Sequence, residues 1–122
     1  ANAPEPELTI LADEFTPKLE NNVELTRKTI GVFEQVLGKD KVHTRPVIMG
    51  GEDFSRYSLD GTIPVFMYFL GSVSSERVAA AKKEGAPALP GGHTDKYYPA
   101  PELTVKTGVK TLSLAVLNLN GK

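Results

Sequence analysis

The chain has 122 residues, 40% of them hydrophobic and 24% charged, which fits one ordered domain and excludes a disordered or fibrous protein. Lys and Arg number 14 against 15 Asp and Glu, so the net charge of −1 leaves little counterion release to drive nucleic-acid binding. The absence of cysteine rules out a disulfide framework and a thiolate metal site, and the longest apolar run, residues 64–70, is too short to span a bilayer.

In chain order, residues 1–6 lack the basic and apolar regions of a signal peptide, and the chain opens on Ala1 rather than Met, as a processed or truncated product would. Residues 7–15 mix Leu, Ile and Phe with charges and predict a modest strand, ended by Pro17, which cannot donate to a ladder. Residues 22–37 predict the clearest helix: Leu25, Thr29, Val32, Phe33, Val36 and Leu37 share one stripe. Asn21 with Glu24 suggests a capping box, and Gly38 suits the position past the end.

Residues 42–48 predict a short strand weakened by Pro46, followed by a glycine turn at 49–54 and a short helix over 53–57. The apolar run at 64–70 has the length and the aromatic and β-branched content of a strand buried on both faces. Residues 72–84 predict a helix with Lys82 and Lys83 in its last turn, and residues 85–92 a Pro- and Gly-rich loop ending at His93. The last helix is predicted over 101–119, with Pro101 and Glu102 in its first turn and Val105, Val109, Leu112, Ala115, Val116 and Leu119 as its buried stripe. This alternation implies an α/β fold: three layers, a mostly parallel sheet and helices on both faces.

Two loops contain the residues suited to chemistry. His93 stands alone in a polar loop and by itself reads first as a solvated surface histidine. Its position after a buried strand, and imidazole's frequency as a metal ligand, make it the candidate metal residue. In the 49–54 turn, Gly50 and Gly51 let backbone N–H groups approach an anion such as a carboxylate, and Asp53 is placed to cap the short helix after it; the plain alternative is a tight turn with a helix cap. His43, the adjacent Glu52 and Asp53, and the pair Tyr97 and Tyr98 read as surface, capping and packing residues. Neither a His-Glu-x-x-His, a Gly-x-Ser-x-Gly nor a phosphate loop occurs. A catalytic zinc takes about three protein ligands, and His93 is the one convincing candidate.

Taken together, these segments resemble the family of hippurate hydrolases, aminoacylases and indoleacetyl-amino-acid hydrolases, relatives of the zinc carboxypeptidases. Met49-Gly50-Gly51-Glu52-Asp53-Phe54 matches the family's Met-Gly-Ser-Glu-Asp-Phe except at Gly51. Residues 64–71 match its Pro-x-x-Phe-x-Phe-Leu-Gly strand. His93, Tyr97, Pro99, Pro101 and Glu102 keep the spacing of its His-Ser-x-x-Phe-x-Pro-x-Pro-Glu block, with Tyr97 replacing Phe. Residues 104–109 look like its last helix, and residues 15–22 resemble the Tyr-Thr-Pro…Asn-Asp segment leading out of its lid domain.

The resemblance covers nearly the whole chain. It implies that residues 1–20 are the last strand and exit of a lid and dimerisation domain, and residues 21–122 the C-terminal part of a catalytic domain. The strand at 7–15 would then pair with another copy, pack in a non-native way, or contact polypeptide outside this chain, since an open strand edge is normally covered. His93 would be the last ligand of a two-metal site loaded with zinc or manganese, and Gly50 and Gly51 would bind the substrate's free carboxylate. Asp95 would support His93 from behind. The other ligands and the general-base glutamate would lie in an N-terminal half of the same protein, so this portion alone would be inactive. The substrates implied are N-acyl amino acids or small peptides, the partners that N-terminal half and a second copy of the full-length protein, with no role for nucleic acid or membrane. A cytoplasmic location is expected, with export left open. The competing expectation is a stand-alone, non-catalytic α/β module that binds a small ligand or a protein.

Overall fold

The computed structural model describes residues 2–12 and 14–121. Its elements are α1 (Val23–Leu37), 3₁₀ turns at Lys39–Lys41 and Asp53–Ser58, α2 (Ser75–Ala81) and α3 (Pro101–Asn120). The chain divides into two compact units, residues 1–26 with 44–66, and residues 27–43 with 67–122, so that one boundary falls inside α1.

Among the described residues there is no β-strand, so the three-layer α/β arrangement with a mostly parallel sheet is overturned. The cause is the non-local nature of a sheet: an extended segment becomes a strand only when another lies about 4.8 Å beside it. Residues 64–70 form no strand, and Phe69 is 58% exposed rather than covered from both sides. The segments expected at 7–15 and 42–48 are irregular as well. Leu8, Ile10 and Val47 are open to solvent, and a turn from Leu11 to Glu14 interrupts the first. Asp13, within that first segment, lies outside the described residues, as do Ala1 and Lys122 at the ends of the two expected domains.

The helices arise from local signals, which need no distant partner. α1 begins where Asn22 Oδ1 accepts from Leu25 N–H at 3.0 Å, so Asn22 caps it rather than Asn21. It ends at Gly38, whose φ of 94° disfavours an L side chain and whose N–H reaches Glu34 O at 3.0 Å. α2 is shorter than the predicted 72–84: Ser74 caps its start, and Lys82 already stands at its C-cap. A hydrogen bond from Ser74, then one from its own backbone, holds the Glu76 carboxyl below the usual range. α3 opens on Pro101, whose missing N–H costs nothing in a first turn.

The core of the second unit is small and partly polar. Phe33 of α1 is buried and meets Tyr68 edge-on, with ring centroids 5.1 Å apart. Tyr68 Oη lies 2.8 Å from Thr111 Oγ1 of α3, and that hydroxyl also lies 2.9 Å from Thr107 O. Thr111 has one proton, which goes to the carbonyl, so the tyrosine O–H donates to Thr111.

α3 therefore packs on a face rotated by about a quarter turn from the expected stripe, with Ala115 the residue shared by both. Thr111 is 1% exposed and Ala115 is buried, whereas Val109 is 62% and Val116 50% exposed, with Val105, Leu112 and Leu119 also open. Small residues make the inner face approachable. A Cβ added at Gly108 would stand only 3.1 Å from Leu70 Cδ2, so the bare glycine lets Leu70 lie against the helix.

In the first unit, Val65 is buried and its carbonyl accepts from Asn22 N–H at 2.9 Å. The turn at Asp53–Ser58 buries Ser55 and brings the rings of Phe54 and Tyr57 to 5.6 Å.

Candidate functional site

The candidate residues are divided between the two units. In the second, His93 sits at the crest of the turn between α2 and α3, exposed to solvent together with Thr94 and Asp95. The turn is built by its own backbone: Thr94 Oγ1 donates to Gly91 O at 3.0 Å, and Tyr97 N–H donates to Thr94 O at 3.2 Å. No hydrogen bond joins Asp95 to His93 among the described residues.

The segment just after His93 is tied down more firmly than the sequence suggested. The Arg77 guanidinium on α2 lies 3.8 Å from the centre of the Tyr98 ring, and its Nη1 donates to Tyr98 O at 2.9 Å. Tyr97 Oη lies 2.5 Å from Ser72 Oγ, and Ala100 N–H donates to Ser72 O at 2.7 Å. Arg77, Ser72 and the two tyrosines thus fix the exit of the histidine loop. The tyrosine pair was legible as packing, but its partners 21 and 25 positions upstream were not, because no local pattern encodes a cation–π pair at that range.

Beside this loop, α2 and residues 86–90 enclose an open apolar cleft of about 230 Å³. Its one charged lining residue is Arg77, already engaged with Tyr98, so the cleft offers no catalytic group.

In the first unit, Gly50 and Gly51 are exposed, and Gly51 lies against Thr16. The side chain that caps the next turn is Glu52, not Asp53: it accepts from Phe54 N–H at 3.1 Å, while Asp53 is exposed in the turn's first position. Arg56, which the sequence did not single out, donates from Nη2 to Phe15 O at 2.5 Å. His43 of the second unit is exposed.

Among the described residues, no group of three or more His, Asp or Glu side chains is close enough to hold a metal ion. His93 is therefore not joined by two further such side chains among the described residues. No described helix is long and apolar enough to cross a membrane.

Compared with models of protein families, with curated proteins and with solved structures, the chain matches none.

Proposed function

We propose that this chain is the C-terminal portion of a metal-dependent hydrolase that cleaves the amide bond of N-acyl amino acids or small peptides. His93 supplies one metal ligand, and Gly50 and Gly51 receive the substrate's free carboxylate. The observation that carries the reading is the run of ordered blocks, residues 49–54, 64–71 and 93–102, in the registers of that hydrolase family. Two features support it. The imidazole of His93 is presented to solvent on a loop whose exit is fixed by Arg77 and Ser72, as a ligand donated to a larger site must be. The chain also leaves large apolar surface open, at Leu8 and Ile10, at residues 47–49 and along α3, which is the condition of a protein that packs on more polypeptide.

In this reading the 122 residues alone are inactive, because metal affinity comes from several ligands held together. The test is hydrolysis of N-benzoylglycine and other N-acyl amino acids, after loading with Zn²⁺ or Mn²⁺, by this chain and by the product of the complete reading frame that contains it. Turnover by the longer product and none by the 122-residue chain is the expected outcome. A reading frame that ends with these residues, giving a product that binds ligands without turnover, would favour the binding-module alternative.

A further inference from the structure

We infer that Arg56 is a positioning residue for the carboxylate-binding turn at Gly50 and Gly51, acting through Phe15 and Thr16; this rests on the hydrolase reading above. The turn meets that dipeptide at both of its ends. On the N-terminal side, a Cβ added at Gly51 would stand 3.6 Å from Thr16 Oγ1 and 3.7 Å from its Cγ2, so Thr16 faces Gly51 across a gap of about one methyl group. On the C-terminal side, Arg56 Nη2 donates to the carbonyl of Phe15 at 2.5 Å, across 41 positions of sequence.

Between these two contacts the chain is stitched to itself. The Glu52 carboxylate accepts from Phe54 N–H at 3.1 Å, Ser55 N–H donates to Glu52 O at 3.1 Å, and Ser55 is buried. These bonds hold residues 52–55 as one short turn, and the Arg56 bond ties that turn, with Gly51 directly before it, to Phe15. Upstream, residues 42–50 form no regular element, and Val47, Ile48 and Met49 are exposed. Backbone N–H groups bind a carboxylate only when held within hydrogen-bond distance and angle of it, so a small displacement weakens substrate binding without touching the bond to be cleaved.

This geometry sets the substrate class. Ligands with a free α-carboxylate depend on Arg56, and analogues with that carboxylate esterified do not. The experiment uses the product of the complete reading frame and compares N-benzoylglycine with its methyl ester. Arg56→Gln is expected to raise KM for the free acid about tenfold while leaving kcat within about twofold and the ester's KM unchanged, the pattern of lost binding rather than lost chemistry. Arg56→Lys keeps a donor that can reach the Phe15 carbonyl and is expected to restore most of the loss. Thr16→Leu crowds Gly51 from the same dipeptide without removing Arg56, and is expected to raise the same KM. That variant keeps the test decisive if Arg56→Gln does not fold.

A KM that responds to Arg56→Gln but not to Thr16→Leu would make Arg56 a direct ligand of the substrate and overturn the positioning role. Equal losses for acid and ester, or none, would overturn it too while leaving the hydrolase reading intact. A wild-type product that hydrolyses neither compound would overturn both.

Discussion

α1 and α3 both carry a helical stripe of apolar residues, and they use it in opposite ways. α1 turns its stripe inward: Phe33 and Thr29 are buried, and Val32, Val36 and Leu37 are half-buried. α3 leaves most of its stripe open, at Val105, Val109, Leu112, Val116 and Leu119, and buries Ala115 at the stripe's edge with Thr111 beside it, Gly108 making room for Leu70. Helical periodicity thus identifies a helix in both cases, but it does not by itself identify the packed face. On α3 a threonine serves as the core residue because Tyr68 and the Thr107 carbonyl satisfy its hydroxyl.

The largest effect expected from this contrast is at Phe33. Phe33→Ala removes the ring that meets Tyr68 and should cost about 3–5 kcal/mol in urea unfolding, whereas Leu112→Ala on the open stripe of α3 should stay within about 0.5 kcal/mol. Comparable losses at the two positions would mean that the outer stripe is covered and that the two helices do not differ.

A smaller difference is expected between two threonines of α3. Thr111→Val leaves the Tyr68 hydroxyl without this acceptor and should destabilise by about 1–3 kcal/mol. The Thr104 hydroxyl is buried with no hydrogen-bond partner among the described residues, so Thr104→Val, which removes an unsatisfied polar group, should be neutral or stabilising. Thermal unfolding of the two variants side by side checks the sign as well as the size, and a loss at Thr104 equal to that at Thr111 would show that both hydroxyls are bonded.

The same contrast explains what the sequence reveals of the fold. The ends of α1 and α3 are legible to within a residue, because Gly38 and Pro101 act on their own neighbourhoods, although the cap of α1 is Asn22 and not Asn21. The sheet was not legible in the same sense. Residues 64–70 have the composition of a buried strand, but composition states a preference, and a strand is made by its neighbour. The inward face of α3 was misread for a related reason. An apolar stripe reports where burial would be favourable, and nothing local in the sequence shows that Thr111 has a tyrosine waiting for it.

The candidate site divides along the same line. His93 and the Gly50 and Gly51 turn are visible as residue types in a pattern. The side chains that hold those loops are not, since Arg77 reaches Tyr98, and Arg56 reaches Phe15, by contacts that leave no periodic trace. The cap expected of Asp53 is provided by Glu52, an ambiguity between adjacent carboxylates that only geometry resolves.

The central claim is that His93 is one ligand of a metal this chain cannot hold alone, and metal content tests it without reference to turnover. The product of the complete reading frame, its His93→Ala variant and the 122-residue chain are each loaded with Zn²⁺, dialysed against metal-free buffer and analysed for zinc by mass spectrometry. The account predicts zinc retained by the longer product, less zinc in His93→Ala, and none above background in the 122-residue chain. Zinc content unchanged by His93→Ala, or zinc held stoichiometrically by the short chain, would contradict it.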